Sequence, residues 1–264
     1  MPSNPLPHQA KELIKACYDA GVNFFDNAEV YASGEAERLM GQAIQASLAR
    51  LQTDYVDLLY CHRPDPDTPI EETVRAMNHC IDTGMAFYWG TSEWSAEQIQ
   101  QAQHIADRLG LMPPVVEQPE YNMFERKKVE QDFLPLYDSP SGLGLTIWSP
   151  LASGILTGKY GSGTAPEGSR LALEAHKSKL ESRRAHIQAA SRLEPIAKEL
   201  GCTMAQLALA WTLRNPHVST TITGASRVSQ VTENMGALAV VPRLTGEVLQ
   251  RVEAALGGKN GPDV

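Results

Sequence analysis

The chain has 264 residues, of which 42% are hydrophobic and 20% are charged, an ordinary composition for a globular protein. That length fits one large α/β domain. The formal net charge of −8 at pH 7 argues against a surface for nucleic acid or for an anionic membrane. No segment reaches the roughly 20 apolar residues that span a bilayer, and the N-terminus lacks the apolar core of a signal peptide. We therefore expect a cytoplasmic protein that is not inserted in a membrane.

The cysteines carry no sign of a metal or disulfide site. They are far apart, with no CxxC pair and no spacing typical of zinc ligands; they are Cys17, Cys61, Cys80 and Cys202. We interpret them as reduced thiols of a cytosolic protein and predict no metal site.

Short apolar runs alternate with segments of helical period along the chain. Six runs rich in β-branched or aromatic residues predict strands: Val22–Asp26, Tyr55–His62, and the runs that begin at Phe87, Val115, Leu145 and Ser219. Among the helical segments, 95–110 opens with the capping-box pattern Ser95-x-x-Gln98. Strands that alternate with helices predict a parallel sheet whose strands are covered by helices.

Polar residues follow the predicted strands at the points where they end. They are Asp26, His62, Ser92, Gln118, Ser149 and Ser226. In a parallel barrel the active site is built at this face of the strands. A doubly wound sheet would place ligands at the same ends, but no GxGxxG follows any predicted strand, which weighs against a dinucleotide fold of that type.

Six blocks of sequence, in order, resemble the aldo-keto reductases. They are FFDNAEVY, YCHRPDPDTPIEETVRAM, YWGTSEW, EQPEYNMFER, WSPLASGILTGKY and TGASRVSQVTENMGA. More narrowly, they are similar to the branch that contains the voltage-gated potassium channel beta subunits and their plant and microbial relatives. The similarity runs from about Gln9 to about Leu256. It implies one domain over residues 1–264, a (β/α)8 TIM-barrel fold, NADPH as hydride donor, and reduction of aldehydes or ketones to alcohols.

The resemblance assigns catalytic roles to three residues at the first two predicted strands. Asp26 matches the acid, Tyr31 the proton donor, and His62 the residue that hydrogen-bonds the substrate carbonyl. Hydride delivery to a carbonyl carbon builds negative charge on oxygen, so a nearby acid must supply a proton. A tyrosine with a pKa of about 10 is a poor donor unless a neighbouring cation lowers that pKa. In the family a lysine provides this charge, and the aspartate pairs with it.

The resemblance also assigns residues to the cofactor. Ser92 and Gln118 match the pair that binds the nicotinamide carboxamide, and Trp148 is the candidate ring against the nicotinamide, unless it is simply a core residue. The residues matched to the phosphates and the adenosine are Ser149, Pro150, Leu151, Ser153, Lys159, Arg170, Gly224, Ser226, Arg227, Gln230, Glu233 and Asn234. Of these, Arg227 is the expected contact of the 2′-phosphate, because a guanidinium fork suits a phosphate dianion. NADPH is therefore preferred over NADH.

Two parts of the family pattern are missing from this chain. The leading strand is absent, and Ile44 runs directly into Gln45, where the family has a third strand that ends in the catalytic lysine. No lysine occurs from Tyr31 through Arg126. Residues 34–52 instead read as one long amphipathic helix. Besides these two missing parts, the chain departs from the pattern at Glu93, where the channel subunits often carry a basic residue.

Several explanations of the gap remain open at this stage. The six predicted strands form a distorted sheet, or the chain is the incomplete product of a longer gene, or residues of the natural protein are absent from this sequence. The corresponding functional hypotheses are an impaired NADPH-dependent reductase, a non-catalytic NADPH-binding subunit of a channel that forms tetramers, and a truncated product without function. The expected ligand is a small carbonyl compound, and no nucleic acid is expected as a partner.

Overall fold

A computed structural model describes residues 7–26, 40–138, 142–167, 169–172 and 181–258. The chain divides into two compact units. We call residues 25–119 and 128–146 the sheet unit, and residues 1–24, 120–127 and 147–264 the helical unit. The expectation of one domain over residues 1–264 stays a prediction.

The sheet unit contains most of the strands. They are β1 (Val56–Cys61), β2 (Ala86–Ser92), β3 (Val116–Gln118) and β4 (Gly144–Ile147), whose last residue belongs to the helical unit. The helices are α2 (Met40–Leu51), α3 (Ile70–Asp82), α4 (Ala96–Leu109) and α5 (Leu134–Tyr137), with a π-helical turn at Lys128–Asp132.

Strands β1 to β4 pair in chain order, and every pairing between them is parallel. The register aligns Cys61 with Thr91, and Ser92 with Gln118. All carboxyl ends therefore lie at one edge of the sheet, which is where polar residues follow the strands. Gly90 is required in this register, because a Cβ at that position would lie 2.4 Å from both Cγ1 and the carbonyl oxygen of Val116.

Two connections of the sheet unit are fixed by local hydrogen bonds. The predicted capping box at the start of α4 is confirmed, with the Ser95 hydroxyl accepting from the Gln98 amide and the Gln98 side chain accepting from the Ser95 amide. The helix ends at Gly110, whose left-handed φ of 66° suits glycine. Beyond it, the buried Trp89 indole donates to the carbonyl of Met112 at 2.8 Å. These bonds hold α4 and the following loop against β2.

The helical unit is built from the N-terminal helix and from helices of the C-terminal half. They are α1 (Pro7–Asp19), α6 (Arg184–Ser191), α7 (Glu194–Glu199), α8 (Met204–Leu213), α9 (Val228–Met235) and α10 (Gly246–Leu256), together with β5 (Val218–Thr221). Helix α8 is apolar around most of its circumference and is buried, as the centre of this unit requires. Arg126 lies over the Trp211 ring, and its Nη1 donates to both carboxylate oxygens of Glu253 at 2.8–2.9 Å, which compensates its buried charge.

The α/β class with a parallel sheet is confirmed, and five of the six predicted strands are present. The predicted strand Val22–Asp26 is wrong, since this segment forms no strand. A strand needs a hydrogen-bonded neighbour, and within the described part of the chain β1 pairs with β2 alone. Of the predicted helix over 34–52, the described portion is helical from Met40 to Leu51.

Across the described ranges, no helix has both the length and the apolar character that crossing a membrane requires.

Replacing Gly90 by alanine is expected to destabilise the protein by about 1–3 kcal/mol, since the added methyl group would overlap Val116. Urea unfolding followed by circular dichroism would measure this change. The control is Gly246→Ala at the start of α10, where an added Cβ meets nothing within 4 Å. Equal midpoints for the two variants would contradict the close approach of β2 and β3 at Gly90.

Candidate functional site

The ends of β2 and β3 are joined by a side chain that the sequence assigned to the cofactor. Ser92 is buried, and its hydroxyl donates to the backbone carbonyl of Gln118 at 2.9 Å. Because its proton is used in this bond, the Ser92 oxygen can act only as an acceptor toward a ligand. The structure thus brings the predicted pair Ser92 and Gln118 together.

Asp26 contacts the same pair through the side chain of Gln118. The Gln118 Nε2 donates to Asp26 Oδ1 at 3.2 Å, and both side chains are partly buried. This contact leaves the Gln118 Oε1 as an acceptor for another donor. Among the described residues, Asp26 therefore accepts a hydrogen bond from the Gln118 amide. The one lysine of the sheet unit, Lys128, forms an ion pair with Glu93.

His62 follows β1 at the same edge and is exposed. The next residue, Arg63, donates from Nη1 to the Ser92 hydroxyl at 3.1 Å and to the carbonyl of His62. Arg63 therefore links the end of β1 to the end of β2 and carries a permanent positive charge there. No sequence motif singled out Arg63, although an arginine directly after the candidate His62 is a visible signal.

Tyr31, the predicted proton donor, lies outside the described residues. Tyr60, which lies within the described residues, is a tyrosine whose pKa is influenced by the charge of Asp26. Its hydroxyl shares a hydrogen bond with the Thr146 hydroxyl at 2.9 Å. Burial, and to a lesser degree the negative charge of Asp26, raise the pKa of Tyr60 well above its usual range. Tyr60 is consequently a poor proton donor at neutral pH.

A buried carboxyl group that the sequence analysis did not single out lies one residue before Gln118. Glu117 is fully buried in β3, and its Oε2 accepts a hydrogen bond from the Thr91 hydroxyl. Burial raises the pKa of Glu117 to about 7, against the lowering effects of Thr91 and of the Lys128 charge. A charged residue inside the apolar run VVEQ was the signal in the sequence.

The helical unit holds the residues matched to the phosphates. Trp148 is partly buried, and its carbonyl accepts from the amide of Tyr121 at 3.2 Å. The segment that follows has left-handed backbone angles at Ser149, Ala152, Ser153 and Gly154, with φ of 58°, 48°, 58° and 88°. Pro150 is buried and Leu151 is partly buried. The fully buried Asn122, which the sequence analysis also missed, donates to the carbonyl of Ser149 at 3.1 Å. Left-handed turns of this kind form concave backbone surfaces that bind anions.

The two basic residues of this loop region differ in what the structure shows. Lys159 is exposed, and its Nζ lies 5.3 Å from the centre of the Tyr160 ring. A Cβ on Gly154 would lie 2.8 Å from Lys159 Nζ, so the ammonium group sits directly beside the left-handed loop. The backbone of Arg170 begins a short 3-10 turn, and its side chain lies outside the described part.

The residues matched to the adenosine lie just before α9 and within it. The Gln230 Oε1 accepts from the Ser226 amide at 2.8 Å and from the Ser226 hydroxyl at 3.2 Å. Gly224 and Arg227 are exposed, while Glu233 and Asn234 are partly buried along the helix. The Glu233 carbonyl accepts from Gln206 at 2.9 Å. Ser226 and Gln230 are therefore brought together, and Arg227 is exposed beside them.

Comparisons with known proteins show the family to which the chain belongs. A sequence model of the Aldo/keto reductase family matches residues 4–46 and, separately, residues 40–256. The chain is 53% identical to the "Probable voltage-gated potassium channel subunit beta" of Oryza sativa subsp. japonica, over 95% of this chain and 88% of that protein. It is equally identical to the Arabidopsis thaliana protein of the same name, with the same coverage. A "Putative voltage-gated potassium channel subunit beta" of Schizosaccharomyces pombe is 42% identical over 93% of this chain and 83% of its own length.

The length of these alignments bears on the gap inferred from the sequence. The alignment with the rice protein runs over 291 positions, although this chain has 264 residues. That relative therefore carries residues that have no counterpart here. The two family matches meet at residues 40–46, which contain the Ile44–Gln45 junction.

The ionisation of Glu117 predicts how stability depends on pH. Its pKa is raised from 4.5 to about 7 on folding, so the unfolded state loses this proton first as the pH rises. The free energy of unfolding should therefore fall between pH 4.5 and 7 by up to about 3 kcal/mol, and then level off. Urea unfolding at several pH values would show this fall in the wild type and its loss in Glu117→Gln. Glu97→Gln, at an exposed position of α4, should keep the wild-type slope; a wild-type slope in E117Q would contradict the assignment.

Proposed function

Because the chain belongs to the aldo/keto reductase family, we propose that it binds NADPH and reduces aldehydes or ketones to alcohols, with turnover impaired by the loss of the catalytic lysine. The observation that carries the proposal is the hydrogen-bonded arrangement of Asp26, Gln118 and Ser92 at the strand ends. It supplies the acceptors that a nicotinamide carboxamide needs, while the aspartate lacks its lysine. We further propose that the protein acts in the cytoplasm, as expected from the sequence.

The nicotinamide end would be held by Ser92 and Gln118. With the Ser92 proton donated to the Gln118 carbonyl and the Gln118 Nε2 donated to Asp26, both side chains offer oxygen acceptors to an amide N–H group. Arg63, bound to the Ser92 hydroxyl, adds a donor beside them that suits a carbonyl oxygen. These polarities match a carboxamide, which carries both an N–H2 group and a carbonyl oxygen.

The phosphates would be held by the residues of the helical unit. The left-handed loop Ser149–Gly154, with Lys159 beside it, combines a concave backbone with a positive charge. Arg227, exposed before α9, offers a guanidinium fork to a 2′-phosphate, which supports NADPH over NADH. Ser226 and Gln230, bonded to each other, would frame the adenosine.

The chemistry proposed for this chain lacks the cation that normally activates the tyrosine. When bound, NADPH supplies a hydride to the carbonyl carbon. His62 would hydrogen-bond the carbonyl oxygen, and Tyr31 would donate the proton. A tyrosine that has no neighbouring cation keeps its ordinary pKa of about 10, so it donates its proton slowly at neutral pH. The break between the two family matches at residues 40–46 supports the loss of the lysine-bearing segment at the Ile44–Gln45 junction.

A second candidate function follows from the names of the relatives. The similar rice and thale cress proteins are described as probable channel beta subunits. We therefore also consider a non-catalytic role, in which the chain binds NADPH and assembles as a tetramer with the cytoplasmic part of a channel. An incomplete catalytic set beside an intact set of candidate phosphate residues is compatible with this role.

Steady-state reduction of 4-nitrobenzaldehyde with NADPH tests the first proposal. We expect binding of NADPH, measured by titration calorimetry, but a turnover at least about 10²-fold below that of the rice relative, because general acid catalysis contributes on that scale. Turnover equal to the relative's would show that the missing lysine does not limit this chain. A chain without function should neither bind NADPH nor gain melting temperature in its presence.

Light scattering after size-exclusion chromatography tests the second role, that of a tetrameric channel subunit, and a monomer would argue against that role.

The proposed phosphate loop predicts a specific effect of Gly154→Ala. The added Cβ would collide with Lys159 at a left-handed position, and NADPH affinity should fall roughly tenfold, as for one lost contact to a charged group. The control is Gly163→Ala, which has a comparable φ of 77° but no atom within 4 Å of the added Cβ. Calorimetric titration of both variants with NADPH gives the comparison. An unchanged affinity in G154A would separate this loop from the cofactor.

A further inference from the structure

Arg63 has more hydrogen-bond donors than its own contacts and the proposed carboxamide contact use. Its Nη1 donates to the Ser92 hydroxyl at 3.1 Å and to the backbone carbonyl of His62. A guanidinium group carries five N–H donors, and one more of them suffices for a carboxamide oxygen. The N–H of Nε and one N–H of Nη2 therefore remain. Because Arg63 is exposed, a ligand in solution can reach it.

The carboxylate that is nearest to Arg63 along the chain is engaged in its own turn. Asp65 lies two residues after Arg63, and its Oδ2 accepts from the Thr68 hydroxyl at 2.7 Å. Its Oδ1 accepts from the backbone amide of Asp67 at 2.9 Å. The Asp65 carboxylate thus stabilises the loop that leads to α3, and its hydrogen bonds go to that loop instead of to Arg63.

The other acids beside the candidate pair at the strand ends are engaged as well. Asp26 accepts from the Gln118 Nε2, and Glu93 forms an ion pair with Lys128. The hydrogen bonds of Arg63 go to uncharged oxygens, so within the described part of the chain its charge has no carboxylate partner. The formal net charge of −8 would by itself repel an anion. An anion that binds at this edge of the sheet therefore needs a local cation such as Arg63.

The unused edge of Arg63 has the geometry that binds a carboxylate. Nε and Nη2 present two parallel N–H groups, which match the two oxygens of a carboxylate group. The bonds from Nη1 to Ser92 and to the His62 carbonyl hold the guanidinium group in place, so less conformational freedom is lost when a ligand binds. The predicted carbonyl-binding residue, His62, directly precedes Arg63 in the chain. One small molecule with a carbonyl group and a carboxylate could engage both residues.

We propose that Arg63 is a specificity-determining residue that binds the carboxylate of the substrate, so that the chain prefers aldehydes and ketones that carry a carboxylate over neutral ones. The proposal rests on the proposed function, since it names the substrate class of the same site. The carbonyl group would lie at His62, and the carboxylate would lie on the Nε–Nη2 edge of Arg63. The preference is a property of substrate binding and does not depend on how fast the proton is transferred.

The first test measures binding without turnover. The protein is saturated with NADP+, which has no hydride to donate, and is titrated in a calorimeter with 4-formylbenzoate or with its uncharged methyl ester. The wild type should bind the acid about three- to tenfold more tightly than the ester, the scale of an exposed ion pair with bidentate geometry. In Arg63→Met this ratio should fall to about one. Equal affinities in the wild type, or an unchanged ratio in R63M, would overturn the proposal.

Two further variants separate the fork from the charge. Arg63→Lys keeps the charge but lacks the two parallel donors, so its ratio should lie between those of the wild type and R63M. Arg75→Met removes the same charge from an exposed position of α3, where Arg75 pairs with Glu71. R75M should keep the wild-type ratio. A ratio that falls equally in R63M and R75M would indicate a general effect of net charge and would contradict a binding site at Arg63.

The second test repeats the comparison as kcat/KM for the two aldehydes with NADPH. Because Arg63 also contacts Ser92, the acid-to-ester ratio is compared within each protein, where any change in cofactor binding cancels. The ratio should again be about three- to tenfold in the wild type and about one in R63M. Absence of cofactor binding and of turnover with both aldehydes would contradict the proposed function.

The third test needs neither cofactor nor variant. In ¹H–¹⁵N NMR spectra of the full chain, the Nε–H signal of Arg63 should shift on addition of 4-formylbenzoate and stay in place with the methyl ester. This arm still decides the role of Arg63 if R63M folds poorly or if the proposed function fails. An Arg63 signal that responds equally to both compounds, or to neither, would overturn the carboxylate site.

Discussion

The parallel pairing of β2 with β3 is the constraint on which the candidate site depends. Close approach at Gly90 brings the two strands into register, and the register places Ser92 opposite Gln118. The hydroxyl of Ser92 then binds the Gln118 carbonyl, and the side chain of Gln118 reaches Asp26. Thr91 and Glu117 repeat the connection on the opposite face. A larger residue at Gly90 would disturb both sets of contacts, since each is only one or two residues away along the strands.

Asp26 has a hydrogen-bond donor among the described residues. A partly buried carboxylate needs such a donor, and the Gln118 amide supplies one. This contact fixes which way the amide points, which favours binding of a carboxamide, but an amide brings no positive charge. The same arrangement therefore supports cofactor binding and weakens the case for rapid proton transfer.

The charges around the candidate residues of the helical unit are arranged differently from those around the candidate residues of the sheet unit. The helical unit presents exposed cations, Lys159 and Arg227, next to left-handed or helix-start backbone, as an anion requires. The sheet unit instead buries the carboxyl group of Glu117 and pairs its one lysine, Lys128, with Glu93. The first arrangement is suited to holding phosphates, because its positive charges are exposed. In the second, burial raises the pKa of Glu117, because a buried carboxylate is costly to ionise.

The amino-acid sequence was enough to predict the family and the α/β class, because motifs and alternating strands and helices are local patterns. The same motifs supplied the candidate site residues, which stay predictions. That Val22–Asp26 forms no strand could be learned only from the folded chain, since a strand exists only with a paired neighbour. Likewise the partners of Asp26, Arg63 and Glu117 come from different strands, and no spacing in the sequence indicates which side chains meet there. The burial that raises the pKa of Glu117 depends on all the residues packed around it, so the sequence alone does not indicate it.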